Sequence, residues 1–144
     1  MKHLIFTFAL FTLFSCSSDS KSGSNSDSDS KAKGEEAVLD QTSPVSVVNH
    51  LFAAARTGDY SQLSGLCMPD GKGDGDTKRI CKVANGDEKL QQEFSTYFKN
   101  GSVSGEAIVN GDKAAVPIKF GPSGNKDETM NLALINGKWF LSSF

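Results

Sequence analysis

Acid/base catalysis needs a titratable side chain held away from water, beside a second group that donates to the developing charge. Few residues in this sequence suit that work. His50 is the single histidine beyond His3, and it falls on the far side of a helical stripe made by Val48, Leu51, Phe52 and Ala55, toward solvent. Tyr60 and Tyr97 have hydroxyls to offer a cavity, but Tyr97 stands on an apolar stripe of its own, the usual setting of a core tyrosine with a polar tip. Glu106 and Glu128 are the acids closest to inward strand positions, and both sit near strand ends, where solvation is the default. This pattern assigns no catalytic residue.

Metal chemistry fares no better. Asp70, Asp74, Gly75 and Asp76 have a superficial calcium-loop spacing, but Lys72 takes an acidic ligand slot and Cys81 stands where a bidentate Glu is required. There is no Cys-x-x-Cys pair. The expectation is therefore no metal and no cofactor, with a turn-rich loop in this stretch. Asn100-Gly101-Ser102 matches a glycosylation sequon, a three-letter pattern of little weight here. Lys plus Arg is 15 against 17 Asp plus Glu, and the net charge of -2 leaves no basic excess to neutralise a phosphate backbone, so nucleic acid is not an expected partner.

The strongest chemical signal lies at the start. Met1-Lys2-His3 is a short positive segment, Leu4 to Phe14 is an unbroken apolar run with Thr, and Ser15-Cys16 ends it. The run is short of the roughly 20 apolar residues a bilayer span needs, and a polar tract follows at once, so positions 1–15 read as a signal peptide. Leu13-Phe14-Ser15-Cys16 resembles the lipobox of bacterial lipoproteins, although Phe14 departs from the small or branched residue usual there. The resemblance implies a diacylglyceryl group on the Cys16 thiol, cleavage before it and acylation of the new amino terminus. Two or three long chains, at about 0.8 kcal/mol per buried methylene, anchor stably where a single one is marginal. Ser17 stands where Asp would signal inner-membrane retention in that family, which favours the outer membrane, with the domain in the periplasm or at the cell surface.

With Cys16 assigned to a thioether, Cys67 and Cys81 remain as an even pair in an oxidising compartment, and a disulfide between them is the expectation. Two free buried thiols are the alternative. Ser17 to Ser30 holds eight serines in fourteen residues and nothing that could enter a core, so positions 16–36 read as a lipidated cysteine and a Ser-rich flexible tether. Positions 37–144 carry 11 basic and 12 acidic side chains and form one nearly neutral domain.

That domain must supply the elements. Ser43-Pro44 starts a helix that Gly58 stops. Asp59 caps a short second helix around Leu63 and Leu66, Thr77 to Val83 adds another turn or two, and Asp87 caps a helix from Glu88 to Lys99 with Leu90, Phe94, Tyr97 and Phe98 on one stripe. Beyond Asn100-Gly101 the period becomes two. A strand through Val103, Ala107 and Val109 turns at Asn110-Gly111-Asp112 into Ala114, Val116, Ile118 and Phe120. Gly121 to Asn125 turns into Met130, Leu132 and Leu134, and Asn136-Gly137 into Lys138 to Leu141. The expectation is an α+β fold, N-terminal helices packed on a curved antiparallel sheet of about four strands.

The helix from Ser43-Pro44, the Thr57-Gly58-Asp59-Tyr60 step, Phe94 to Phe98, the Gly111 to Val116 hairpin and the terminal Asn136-Gly137-Lys138-Trp139 together resemble the nuclear-transport-factor-2-like superfamily. More narrowly, the chain resembles small bacterial lipoproteins with such a cystatin-like cone domain of unknown function. The resemblance implies a bent sheet wrapped round a long helix and open at one end, in a superfamily that holds isomerases and dehydratases as well as pure binding or assembly modules. Phe52, Tyr60, Tyr97 and Trp139 are the expected lining of that cone, suited to a small apolar ligand. The functional expectation is a membrane-anchored, non-catalytic ligand-binding or protein-interaction domain, with an isomerase- or dehydratase-type pocket enzyme, or a homodimerising envelope assembly module, as the alternatives.

Overall fold

Proline at the first helical position and apolar residues at helical spacing place α1 at Pro44–Thr57 in the computed structural model, which describes residues 39–144. The signal segment 1–15, Cys16 and the tether 16–36 lie outside the described residues. Val47, Val48, Leu51, Phe52 and Ala55 form the buried face of α1. Ser43 has the extended N-cap backbone, but its hydroxyl caps nothing; its carbonyl accepts from Val47 N at 3.2 Å. Gly58 ends the helix in the left-handed region at φ 75°, with its amide on Ala54 O.

The short second helix starts later than Asp59. The Asp59 carboxylate is taken by Ser61, whose amide and hydroxyl donate to it at 3.1 and 2.7 Å, so a side-chain turn forms there. One 3₁₀ turn follows at Leu63–Leu66, both leucines 1% exposed. Helix α2 is Gly75–Cys81, capped by Asp74, and a 3₁₀ turn at Val83–Asn85 leads to α3, Glu88–Phe98, capped by Asp87 through Leu90 N. The Cys67–Cys81 disulfide is formed, with the sulfurs 2.00 Å and the Cα atoms 5.9 Å apart.

Five strands follow: β1 Ser102–Val103, β2 Ile108–Asn110, β3 Lys113–Phe120, β4 Lys126–Ile135 and β5 Lys138–Ser143. Among the described residues the architecture is α+β, three α-helices and then an antiparallel sheet in which β4 lies between β3 and β5, and β1 and β2 share the far side of β3. The sheet has one strand more than expected, because the first expected strand is broken in two. Val103 faces Ile118 and Ile108 faces Ala115, so residues 104–107 span a gap that β3 crosses with Val116 and Pro117 alone. Pro117 is the cause. Its carbonyl accepts from Ser104 N at 2.9 Å, so its nitrogen faces the same side, where it has no hydrogen to give the ladder.

Ala114, Val116, Ile118 and Phe120 of β3, Met130 and Leu132 of β4, and Trp139 and Leu141 of β5 turn inward and are buried. Helix α1 covers this face against β3 and β5. The outer edge of β5 is closed by the chain leading into α1: Trp139 N donates to Gln41 O, and Gln41 Nε2 donates to Trp139 O, each at 2.9 Å. Beside it the hydroxyl and amide of Thr42 hold the Asp40 carboxyl down to about 2.

Candidate binding pocket

The stripe on α3 brings Phe94 and Phe98 to the end of the sheet where β3 closes with Phe120 and β5 with Ser143. Phe98 is the hub. Its ring centroid lies 5.0 Å from Phe94, 5.7 Å from Phe120, 5.4 Å from Phe144 and 6.4 Å from Phe52. Phe120 and Phe144 meet edge to face at 5.0 Å. Two bonds fix α3 against the β3–β4 turn and thereby set Phe98 on Phe120: Gly121 N donates to Tyr97 O at 2.7 Å, and Asn100 Nδ2 donates to Pro122 O at 2.6 Å. Gly124 sits so close to Asn100 that a Cβ there would overlap the Asn100 carbonyl.

Above these rings is a cavity of about 240 Å³. Ile80, Val83, Phe94, Phe98 and Phe120 supply its buried apolar lining, while Asp76, Arg79, Glu93, Tyr97 and Lys126 stand at the mouth. None of these five titratable groups is buried. Arg79 Nη2 and Glu93 Oε2 bond at 2.6 Å across the gap between α2 and α3. Lys126 faces Phe120 across the hairpin and sets its Nζ 4.9 Å from the centre of that ring.

The α2 wall has little packing of its own, since only Thr77 and Ile80 are buried along it, and it is held from both ends. Cys81 ties its last residue to Cys67, which bridges to Leu141 of β5. At the other end the Asp74 carboxylate accepts from Thr77 N at 2.8 Å and from Phe144 N at 2.9 Å. Burial works to raise the Asp74 carboxyl, but the amides of Phe144 and Thr77 outweigh it and hold it below the usual carboxylate value. The buried Thr77 hydroxyl lacks a well-aligned partner among the described residues, although its dipole also favours ionised Asp74.

Of the residues expected to line a cone, Tyr97 stands at this cavity, 43% exposed. Phe52 and Trp139 do not line it: both are core, 0% and 6% exposed. Tyr60 packs behind the floor, edge-on to Phe94 at 5.7 Å, with its hydroxyl donating to Gln91 O at 3.5 Å. Phe98 on the α3 stripe and Phe120 in the β3 alternation read simply as core, so neither is expected as lining, and Phe144 lies beyond the last expected strand, Lys138 to Leu141. Lys126 had a usable signal, for a hairpin closing through Gly121–Asn125 pairs it with Phe120. Among the other candidates, Glu106 and Glu128 are exposed, and His50 Nε2 accepts from Asp40 N at 3.0 Å. Asp70 is engaged by the Lys72 amide and ammonium at 3.0 and 3.1 Å. No cluster of three metal-ligating side chains occurs among the described residues, and no helix among them is long and apolar enough to cross a membrane.

No known protein family matches the chain, and no curated protein is similar to it. Among solved structures it is similar to a protein from Campylobacter jejuni provisionally named an NTF2-like transpeptidase, with a TM-score of 0.42 and 14% identity over 66% of this chain and 92% of that one. A likeness of that depth assigns neither a family nor an activity to this chain.

Proposed function

We propose that this protein is a lipid-anchored envelope lipoprotein, tethered through Cys16 on the Ser-rich 16–36 segment, and that its nuclear-transport-factor-2-like domain binds a small, largely apolar ligand without catalysing a reaction. The observation that carries the binding reading is the division of the pocket: a phenylalanine floor centred on Phe98, and charges confined to the mouth. Such a site gains affinity by taking apolar surface out of water and orients its ligand with the rim. An isomerase or dehydratase would need an acid or base in the dry part of the cavity, where these residues are hydrocarbon. Support for the anchor comes from the apolar run ending at Leu13-Phe14-Ser15-Cys16.

Two measurements test the two halves. Cys16→Ser should move the protein from the membrane fraction to the soluble fraction; persistence in membranes after a carbonate wash defeats the anchor. Titration of the full chain with a neutral aromatic such as 2-naphthamide should shift the ring resonances of Phe94, Phe98 and Phe120; unchanged rings at saturating ligand defeat the pocket.

A second reading, a homodimer or docking to an envelope protein, has one observation in its favour. Ile108 and Val109 on the short strand β2 are 69% and 54% exposed. Light scattering of the protein over a range of concentrations decides it, since a monomer throughout removes the dimer.

A further inference from the structure

We propose that the ligand of the Phe98 pocket is an aromatic carboxylate, a body of one or two rings laid against Phe120 at the end of the Phe94–Phe98–Phe120 stack, with its carboxylate received by Lys126. The inference rests on the binding reading above and names the class of molecule that reading leaves open.

Size sets the body. An apolar cavity of roughly 150 Å³ accepts benzene, so about 240 Å³ suits a bicyclic ring or a single ring with a short arm. Flat rings also suit the floor, because Phe94, Phe98 and Phe120 stack at interplanar angles of 30° and 27°, and a further ring continues that arrangement.

Charge sets the head group. Arg79 and Glu93 neutralise each other at 2.6 Å. Lys126, in contrast, has no carboxylate within 4.0 Å among the described residues; the adjacent Asp127 is taken by Lys119 at 2.8 Å. Glu128, which shares the inward face of β4 with Lys126, accepts the Thr129 amide at 3.1 Å. The remaining acidic side chain at the mouth, Asp76, is exposed and stands in the first turn of α2, the helix end that favours negative charge. A ring lying on Phe120 therefore meets an ammonium already at that ring, and a carboxylate on its edge converts a cation–π contact into a charge-assisted hydrogen bond.

The test compares three ligands of one shape and different charge on the full-length protein: 2-naphthoate, 2-naphthamide and 2-(aminomethyl)naphthalene, by calorimetric titration with the Phe ring resonances followed in parallel. 2-Naphthoate should bind about tenfold tighter than the amide, the worth of one exposed charge-assisted bond, and the amine should bind weakest. Lys126→Met should abolish the preference for 2-naphthoate over the amide, with most of the roughly tenfold loss falling on 2-naphthoate; the exposed position of Lys126 makes the variant safe for folding. Equal affinity for all three ligands, a preference for the amine, or an unchanged 2-naphthoate affinity in Lys126→Met would overturn the carboxylate while leaving the aromatic pocket standing. Failure of all three to bind, with unmoved Phe94, Phe98 and Phe120 rings, overturns the pocket and this inference with it.

Discussion

The carboxylate of Asp74 accepts the backbone amide of Phe144 at 2.9 Å, so one side chain both caps α2 and fixes the residue whose ring closes the pocket against Phe98 and Phe120. Loss of that carboxylate should free both. Asp74→Ala is expected to lower stability by about 1 kcal/mol, the usual worth of an N-cap, and to weaken the contacts between the Phe144 and Phe98 rings. Denaturant melts and ring-to-ring nuclear Overhauser effects measure the two consequences. A stability loss with the Phe144 contacts intact would separate the cap from the latch.

The same carboxylate makes part of the stability pH-dependent. Burial opposes its ionisation, but the Phe144 and Thr77 amides prevail and depress its folded value. A depressed value means that the contribution is fully present above the unfolded carboxyl value of about 3.9 and is lost as pH falls through the folded one. Asp40, held down to about 2 by Thr42, follows the same sign. Asp74→Asn should be less stable than the parent at pH 7, and the two should converge below about pH 3.9. Parallel stability curves over the acid range would remove Asp74 from this account.

Reduction of the Cys67–Cys81 bond should act on binding as well as on stability. Closing a loop of this length is worth about 3 kcal/mol, and α2 spans just 7 residues, too short to hold its shape unaided. Cys67→Ser/Cys81→Ser is therefore expected to lower the unfolding free energy by about 3 kcal/mol and to weaken 2-naphthamide binding at temperatures where the domain stays folded. An unchanged affinity in the folded variant would show that the α2 wall holds without the bond.

Much of the fold could be read from the chain because local signals and burial agree. Pro44, the spacing of Val48, Leu51, Phe52 and Ala55, and Gly58 all mark the same helix. At Asn136-Gly137 the two positive φ values, 51° and 77°, are what a tight hairpin turn demands. The break between β1 and β2 was hidden because it depends on which side of β3 the nitrogen of Pro117 faces, a matter of register rather than composition. The pocket was legible only in part for a related reason. Phe98 and Phe120 each read correctly as inward, but whether an inward ring meets core or cavity depends on how far α2 stands off α3, and that distance is set by Asp74, Arg79–Glu93 and the disulfide. The sequence marks Tyr97 by its hydroxyl, yet its backbone carbonyl, accepting from Gly121, does the positioning.

Gly101 offers a way to disturb the floor from behind. It lies between α3 and β1, and a Cβ there would overlap the ring of Phe52, which is 0% exposed and has no room to retreat. Gly101→Ala is expected to cost about 1–3 kcal/mol, the range for overpacking a filled core. Because the Phe52 and Phe98 rings pack with their centroids 6.4 Å apart, the displacement should also reach the pocket and weaken 2-naphthamide binding, although Gly101 does not line it. Gly75→Ala is the control. That glycine has open space around it and starts α2, so the substitution should be neutral or slightly stabilising. Phe52→Leu in the Gly101→Ala background should recover part of both losses by removing the overlapping atoms. If Gly101→Ala lowers stability while binding is untouched, the Phe52–Phe98 contact does not transmit strain, and the floor is set from the Phe120 side alone.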